Sequence, residues 1–363
     1  MIRILQCVNN MHRAGLETLL MNYYRHMDRE QIQFDFLMHR AQRSDYDDEI
    51  ESMGGRIYRA PRLYPQNYPA YFAYMARFFR EHPEYTIVHS HIDAMSYLPL
   101  LAAKRAGVPV RIAHSHNTDI DKDFKYPLKQ AFRFLLPRAA SHKAACGSEA
   151  GRFLFRGGDF HIIPNAVEAG RFAFDEAVRA EKRQELGLGE GLVIGHAGRF
   201  TPVKNHGFLL KVFDKLLEKR PDARLLLAGT GELEQKMKEK AADMGLGDRV
   251  LFLGSRGDMA GLYQAMDVFV LPSLFEGLPV VGVEAQYAGL PCLFSDRITR
   301  ELAFTENCRF LPIEWEAERW AEELLHCADK SGERGGMYCP DYDIEVAAAA
   351  LEEYYLALHS LTK

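Results

Sequence analysis

Short apolar runs alternate along most of this chain with longer stretches that have one apolar face. Residues 250–253 and 267–271 have the length and composition of buried strands, whereas residues 208–220 repeat apolar side chains at helical spacing. Repeated strand–helix units predict parallel sheets with helices on both faces. Residues 165–191 interrupt the alternation, because they are polar and have no strong period. We therefore expect an α/β protein with two doubly wound, Rossmann-like parallel-sheet domains.

The pattern assigns residues 1–168 to a first domain and 169–342 to a second. Strands are predicted over residues 3–8, 34–37, 86–89, 110–114, 143–146 and 161–163, then over 192–196, 223–228, 250–253, 267–271 and 292–295. Helices are predicted over residues 18–25, 69–80, 95–105 and 128–136, then over 208–220, 233–244, 259–265 and from 278 onward. Ligands of such sheets bind outside the carboxyl ends of the strands, so a cleft between the two domains is the expected site.

A last helix is predicted over residues 344–358. Its apolar positions Ala347, Leu351, Tyr354 and Leu358 form one face that must be buried. We expect the segment 343–363 to cross back and pack on the first domain.

The stretch from residue 272 to 291 contains the start of an unusually apolar helix. Pro279 suits the first helical position, and Gly277 before it allows backbone shapes that other residues resist. Gly289 and Pro291 end the helix, which is apolar almost all round and is therefore expected to be buried. The start of a buried helix presents unpaired N–H groups, which suit a phosphate.

Two glutamates flank this helix start. Glu276 lies just before it, and Glu284 lies roughly 8 Å along the helix, about the distance between the phosphates and the ribose of a nucleotide. One interpretation is that Glu284 binds ribose hydroxyls, the helix start binds a diphosphate, and Glu276 faces the group that the diphosphate carries. The alternative is that Glu276 is an ordinary acidic residue of a helix start and Glu284 a polar residue with a backbone partner.

Three further loops follow predicted strands. Gly15 comes after the first strand and lets a ligand approach the backbone, although a lone glycine is weak evidence. Arg199 and Lys204 follow the first strand of the second domain, and two cations before a helix suit a diphosphate. Gly229 lies in a glycine turn, AGTGELE, that by itself indicates a tight turn.

Two His-x-His pairs, at residues 89 and 91 and at 114 and 116, lie where strands end. Alternation along a strand places each pair on one face, but zinc needs three or four converging ligands. Without another cluster, we favour structural histidines and a ligand-lining role for at least one of them. The acidic segment Asp119 to Asp123 resembles a magnesium site but is better explained as a solvated loop.

Composition limits the cell compartment and the partners. The 363 residues are 47% hydrophobic, enough for two cores, and six cysteines without metal-ligand spacing indicate reduced thiols and a cytoplasmic protein. No apolar run is long enough for a signal peptide or a membrane span. The lack of a full G-x-G-x-x-G turn after any strand disfavours a nicotinamide enzyme.

The net charge of −5 is unevenly divided. Residues 1–168 have 22 Lys and Arg against 18 Asp and Glu, and the remainder has 23 against 32. A basic amphipathic stretch in the first half suits either a packed helix or peripheral contact with an anionic membrane surface. Its basic residues are Lys125, Lys129, Arg133 and Arg138, interleaved with Phe124, Leu128, Phe132, Leu135 and Leu136. The overall charge disfavours nucleic acid as a partner.

These motifs together resemble the retaining glycosyltransferases of family 4, which have the glycosyltransferase-B fold, and in particular members of bacterial exopolysaccharide or capsule synthesis. The most specific motif is the pair of glutamates in FEGLPVVGVE, supported in order and spacing by GRFTPVKN, LLLAGTGEL and LFLGSRGD. The opening MHRAGLETLL is also similar, although Ala14-Gly15 stands where two glycines are usual. The resemblance covers nearly the whole chain.

The resemblance implies transfer of a sugar, with retention of anomeric configuration, from a nucleotide diphosphate, expected to be UDP, to a hydroxyl of a glycan or lipid-linked acceptor. It places acceptor binding in the first domain and donor binding in the second, with no divalent metal and no other cofactor. Arg256 would line the base pocket and His116 would contact the sugar. The implied catalytic residues are Glu276, His116, Arg199 and Lys204. The implied donor-binding residues are Gly15, Arg199, Lys204, Gly229, Arg256, Glu276, Gly277, Leu278, Pro279, Val280 and Glu284.

The same residues are also compatible with three other classes of protein. A sugar-nucleotide epimerase would turn over the donor without an acceptor, a phosphorylase would need phosphate or a pyridoxal cofactor, and a non-catalytic nucleotide-sugar-binding protein would tolerate loss of Glu276.

Overall fold

The computed structural model describes residues 1–120, 125–329, 334–335 and 338–361. The chain divides into two compact units, Met1–Ala166 with Ile344–Lys363, and Val167–Asp343. Both boundaries lie within two residues of the expected ones. Acceptor binding by the first unit and donor binding by the second stay predictions.

The first unit is built on a seven-stranded parallel sheet in the order β3-β2-β1-β4-β5-β6-β7. Its strands are β1 (Ile2–Val8), β2 (Ile32–Met38), β3 (Ile57–Arg59), β4 (Ile87–Ser90), β5 (Val110–Ser115), β6 (His142–Ala145) and β7 (His161–Ile162). Its helices are α1 (Gly15–His26), α2 (Asp47–Ser52), α3 (Tyr68–Glu81), α4 (Tyr97–Arg105), α5 (Tyr126–Ala139) and α6 (Ser148–Phe155), together with the terminal helix α14 (Ile344–Ser360).

The second unit is built on a six-stranded parallel sheet in the order β10-β9-β8-β11-β12-β13. Its strands are β8 (Val193–Ala197), β9 (Arg224–Ala228), β10 (Val250–Gly254), β11 (Val268–Leu271), β12 (Cys292–Ser295) and β13 (Cys308–Leu311). Its helices are α7 (Ala169–Phe172), α8 (Glu176–Glu185), α9 (His206–Lys219), α10 (Glu234–Asp243), α11 (Met259–Ala265), α12 (Val280–Tyr287) and α13 (Ala317–Ala328).

The central strands are buried on both faces, as parallel strands covered by helices must be. A buried charge in β2 shows how strictly the polar groups are paired. The Asp35 carboxylate accepts hydrogen bonds from Arg3 and from the Tyr85 hydroxyl, at 2.5 and 2.7 Å. Pairing of this kind offsets the cost of removing a carboxylate from water.

The terminal helix α14 belongs to the first unit and contacts α1. Ala347, Leu351 and Leu358 are buried, as the apolar pattern predicts, but Tyr355 rather than Tyr354 is the fully buried aromatic residue. Tyr355 lies one turn after Leu351, whereas Tyr354 stacks at 4.1 Å on the ring of His161.

The segment 165–191, which has no strong period in the sequence, contains the boundary between the two units and also two helices, α7 and α8. Helix α8 is mostly charged, and Arg179 and Arg183 hold it by ion pairs to Asp267 rather than by an apolar face. The sequence analysis also missed α2, β3, α6, β13 and α13. Strand β3 has only three residues, too few to show a period.

Helix α5 corresponds to the basic amphipathic stretch. Phe132 and Leu136 pack in the core of the first unit, which accounts for its apolar face without a membrane. The Arg133 guanidinium lies over the ring of Phe153. Membrane contact therefore stays a prediction, and Phe124 lies outside the described residues. None of the helices within the described ranges is long and apolar enough to cross a membrane.

Histidines with a lowered pKa are numerous and unevenly divided between the units. Burial lowers the pKa of His39 to about 4 and of His116 to about 3 in the first unit, and lowers that of His89, His91 and His114 well below the usual 6.5. In the second unit it lowers the pKa of His196 to about 4 and of His206 to about 2. These seven side chains are neutral in the folded protein at pH 7.

We predict that acid unfolds the first unit before the second. A histidine with a depressed pKa takes up its proton on unfolding, so stability is intact above pH 6.5 and falls below it by about 1 kcal/mol per histidine per pH unit. Seven histidines with a lowered pKa lie in the described part of the first unit, counting His142 and His161, and two lie in the second. Both tryptophans, Trp315 and Trp320, lie in the second unit, so helix circular dichroism should decrease at a higher pH than tryptophan fluorescence changes. Coincident transitions, or fluorescence changing first, would contradict this prediction.

Candidate active site

The second unit has strand order 3-2-1-4-5-6 when its strands are numbered along the chain. In such a sheet the connections diverge between the first and fourth strands, here β8 and β11, and ligands bind at that point beyond the carboxyl ends. The segment 198–205 follows β8 and the segment 272–279 follows β11. Six of the twelve candidate residues lie in these two loops.

The two loops are tied to each other. The backbone N–H of Leu274 donates to the Val203 carbonyl at 2.8 Å, and the Asn205 side chain donates to the Pro272 carbonyl at 3.3 Å. Lys204 Nζ and Glu276 Oε1 form an ion pair at 2.6 Å. The structure therefore brings Lys204 and Glu276 together, although they are 72 residues apart.

This pairing changes the interpretation of both residues. The sequence analysis assigned Lys204 to the phosphates and Glu276 to the sugar, as separate contacts. Their side chains are only 17% and 13% exposed, so each holds the other in place more strongly than a surface pair would. An ammonium group has three donors, and one donor to Glu276 leaves others for a ligand.

Helix α12 begins at Val280, not near Leu278. Pro279 is the residue before the helix, with an extended backbone at φ −69° and ψ 119°, rather than its first helical residue. Gly277, Leu278, Pro279 and Val280 are all buried, as expected for a helix start inside the unit.

The far end of α12 is as predicted. Gly289 has φ +68°, a conformation that favours glycine. The N–H of Gly289 donates to the Gln286 carbonyl and that of Leu290 donates to the Ala285 carbonyl, which is the Schellman arrangement.

Glu284 lies in the middle of α12 and is 7% exposed. The Tyr263 hydroxyl donates to Glu284 Oε2 at 2.8 Å. Burial raises the pKa of Glu284 to about 7, and the Tyr263 hydrogen bond and the charge of Arg171 oppose that shift. The sequence analysis missed Tyr263 and Arg171, because they approach Glu284 from helices that are distant in sequence.

Glycines join the ends of β8, β9 and β10. The N–H of Gly198 donates to the Ala228 carbonyl at 2.9 Å, and the N–H of Gly229 donates to the Gly254 carbonyl at 2.7 Å. A Cβ atom on Gly229, which has φ +137°, would lie 2.2 Å from the Gly198 carbonyl oxygen. Gly229 is therefore required for the packing of these loops, whether or not it also contacts a ligand.

Arg199 and Arg256 differ in their surroundings. Arg199 is exposed. Arg256 forms a two-pronged ion pair with Asp258, with distances of 2.7 and 2.6 Å, and lies 3.5 Å from Glu185. Its guanidinium group is therefore already held by carboxylates, and its predicted place in a base pocket stays a prediction.

Two buried histidines adjoin the Lys204 loop and were not singled out from the sequence. His196 Nδ1 bonds to the Val270 carbonyl at 2.8 Å, and the ring of His206 stacks on Phe200 at 4.0 Å. Neither Nε2 atom has a hydrogen-bond partner among the described residues. A histidine before a predicted helix, in KNHGF, was the available signal.

In the first unit, Gly15 is the first residue of α1, and a Cβ atom there would meet nothing within 4 Å. His116 directly follows β5, and its N–H donates to Asp93 at 2.9 Å. The structure brings His116 together with His91, whose Nδ1 lies 3.0 Å from His116 Nε2.

The two His-x-His pairs form one cluster, which the sequence analysis did not predict. β4 and β5 are adjacent parallel strands, so their carboxyl ends share one edge of the sheet. Ring nitrogens of His89, His91 and His114 lie within 4.8 Å of one another. Those of His89 and His91 are already engaged in hydrogen bonds, so a metal ion would have to displace these bonds. Of the candidate magnesium segment, Asp121 and Asp123 lie outside the described residues.

Two family models match this chain. The model described as Glycosyltransferase Family 4 matches residues 13–171, and the model described as Glycosyl transferases group 1 matches residues 178–324. EpsF of Bacillus subtilis, a protein that carries the name of a glycosyltransferase, is 40% identical over 336 residues, 90% of this chain and 88% of EpsF. An Escherichia coli UDP-Gal:alpha-D-GlcNAc-diphosphoundecaprenol alpha-1,3-galactosyltransferase is 32% identical over 59% of this chain and 58% of its own length.

Solved structures share the fold. HepE of Anabaena, crystallised with UDP and glucose, matches with a TM-score of 0.78 and 19% identity over 100% of both chains. From the match to EpsF and the two family models, the chain belongs to the family 4 glycosyltransferases, and it has the glycosyltransferase-B fold.

Proposed function

We propose that this protein is a retaining, metal-independent glycosyltransferase that moves a sugar from a UDP-sugar to a glycan or lipid-linked glycan in bacterial surface polysaccharide synthesis. One observation carries the proposal. The buried carboxylate Glu284 lies on a helix whose start adjoins the Lys204–Glu276 ion pair. A carboxylate with spare acceptor sites suits ribose hydroxyls, and a helix start beside a cation suits a diphosphate.

The relatives support the type of donor and acceptor. HepE was crystallised with UDP-glucose as well as with UDP. The Escherichia coli relative is named for a UDP-sugar donor and for an acceptor linked to diphosphoundecaprenol. We propose the same classes of donor and acceptor for this chain.

In the proposed reaction, the bond between the anomeric carbon and the diphosphate breaks, and a new bond forms from that carbon to the acceptor oxygen. The acceptor hydroxyl loses its proton, so the products are a glycoside, a nucleoside diphosphate and a proton. The sugar passes through an oxocarbenium-like state, and negative charge collects on the leaving diphosphate. Arg199, Lys204 and the start of α12 would stabilise that charge, while Glu276 would meet the sugar hydroxyls and His116 the sugar near the reacting carbon.

Substitutions of Glu276 and Glu284 should affect different steps, turnover in one case and nucleotide binding in the other. We expect Glu276→Gln to lower turnover by orders of magnitude with little change in nucleotide binding, because the amide oxygen still accepts from Lys204. Glu284→Gln should weaken nucleotide binding instead. Calorimetry with a free nucleoside diphosphate and a transfer assay test this, with exposed Glu239→Gln on α10 as the matched control. Equal losses of binding in the two variants would refute the assignment.

Nucleotide-sugar binding should strengthen from pH 6 to pH 8. The pKa of Glu284 is about 7, and only its ionised form accepts two ribose hydrogen bonds, so the binding-competent fraction at pH 6 is roughly one tenth. Affinity should rise about tenfold over this range, with proton release. A UDP-sugar is the suitable probe, because its diphosphate has no terminal group that titrates near pH 6. A slope that persists in Glu284→Gln would assign the effect to another group.

Transfer should need no divalent metal, because fixed cations replace it. We expect Arg199→Ala or Lys204→Ala to cost roughly 2–4 kcal/mol of transition-state stabilisation, the scale for loss of one charge-stabilising donor. Exposed Lys211→Ala on α9 is the control. An assay in excess chelator should retain full activity. Loss of transfer in chelator with recovery in magnesium, together with active Arg199 and Lys204 variants, would overturn the metal-free mechanism.

A further inference from the structure

A row of six polar side chains crosses the first unit beside the carboxyl ends of β1, β4 and β5. All but His116 are buried. The row includes one residue from the terminal helix α14, so it joins the last helix to the sheet. In spatial order its members are His116, His91, Gln6, Tyr355, His89 and His114.

Gln6 determines which ring nitrogens donate and which accept in the first half of the row. His91 Nε2 lies 2.7 Å from Gln6 Oε1, which can only accept, so His91 donates from Nε2. A neutral imidazole has one N–H, so His91 Nδ1 is bare. His116 Nε2, 3.0 Å from that atom, must therefore be the donor.

The second half continues in the same direction. Gln6 Nε2 donates to the Tyr355 oxygen at 3.2 Å, and the Tyr355 hydroxyl hydrogen is then available for His89 Nδ1 at 2.6 Å. His89 Nδ1 accepts, so His89 Nε2 carries the hydrogen and donates to His114 Nδ1 at 3.1 Å. This leaves the hydrogen of His114 on Nε2, which has no partner among the described residues.

We propose that the six side chains form one directional hydrogen-bond chain that holds all four histidines as the Nε2–H tautomer. Each bond fixes the next, so the chain has two consistent directions. Turning the Gln6 amide would reverse every donor and would put all four hydrogens on Nδ1. Gln6 thus acts as a positioning residue for His116, which it does not touch, and Tyr355 acts in the same way for His114.

The chain keeps a single donor-to-acceptor direction only if all four histidines are neutral. A doubly protonated ring would donate from both nitrogens and would interrupt that direction. Burial lowers the pKa of His89, His91 and His114 well below the usual value and that of His116 to about 3. The charged or titratable side chains that face the row include His161, which acts on His89 and His114, and Tyr23 and Tyr354, which act on Tyr355. Asp93 accepts hydrogen bonds from the N–H of His116 and from the side chain of Asn117.

If His116 contacts the donor sugar as proposed, the direction of the hydrogen-bond chain determines which group His116 presents to that sugar. No described residue bonds to His116 Nδ1. In the assigned direction that atom is a bare acceptor, ready for the hydrogen of a sugar hydroxyl and unable to donate one. A ring with free rotation or mixed tautomers would present this acceptor for only part of the time.

Long-range proton–nitrogen NMR spectra of histidine-labelled, metal-free, untagged protein test the proposal, because protonated and bare ring nitrogens give separate signals. Signals are assigned by single histidine-to-glutamine variants. We expect the wild type at pH 7.5 to show the Nε2–H tautomer at His89, His91, His114 and His116. Four Nδ1–H tautomers would overturn the assigned direction, and a mixed set would overturn the single chain.

A matched pair of variants tests the link through the terminal helix. Tyr355→Phe removes the hydroxyl between Gln6 and His89, so His89 and His114 should show both tautomers. Tyr354→Phe, next to it but stacked on His161, should leave all four histidines unchanged. Wild-type tautomers at His89 and His114 in Tyr355→Phe would contradict the chain. The chain would also be contradicted if the protein as purified held one equivalent of zinc that shifts the signals of the ring nitrogens.

These spectra are recorded without substrate, so they are independent of the transfer reaction. If the wild-type tautomers are as expected but His116→Gln retains full transfer activity, the chain stands and the proposed contact between His116 and the sugar is wrong.

Discussion

The proposed donor site in the second unit depends on the burial of one carboxylate. Removing a carboxylate from water is unfavourable unless hydrogen bonds replace its hydration, and among the described residues Glu284 accepts a side-chain hydrogen bond from Tyr263, at 2.8 Å. The helix that carries it is apolar on almost every side and is buried along nearly its whole length. Burial raises the pKa of this group to about 7, which leaves it near the balance point between its neutral and charged forms. A ligand that supplies hydroxyl donors stabilises the charged form, so part of its binding energy can come from hydrogen bonds to this carboxylate.

Glu276 has different surroundings, with a cation beside it. Glu276 forms an ion pair with Lys204, and the pair joins the loops that follow β8 and β11 at the point where the strand order diverges. The two side chains neutralise each other, so the loop is not strongly repelled by a phosphate, and the remaining donors of Lys204 stay available. Two carboxylates eight residues apart thus have different surroundings: Glu276 has a cation beside it, whereas Glu284 is buried beside a tyrosine hydroxyl.

The sequence was sufficient for the fold class and for most strands, because parallel strands covered by helices must be continuous apolar runs. It failed where tertiary contacts decide the structure. Helix α8 lacks an apolar face and is held by arginines paired with Asp267, and Tyr263 reaches Glu284 from a separate helix. The start of α12 was misplaced by two residues, because a proline suits both the first helical position and the extended residue before it. The meeting of the two His-x-His pairs was predictable, since adjacent parallel strands end at the same edge.

The central claim is that Glu284 binds the ribose of the donor, and a double-mutant cycle tests it most directly. The binding free energies of a nucleoside diphosphate and its 2′,3′-dideoxy analogue are measured by calorimetry for the wild type and for Glu284→Gln. The account predicts that the wild type loses affinity for the analogue while the variant hardly discriminates, with a coupling energy of about 1–3 kcal/mol, as for hydrogen bonds to a charged group. Equal discrimination in both proteins would show that the ribose hydroxyls bind elsewhere, and the account would be wrong.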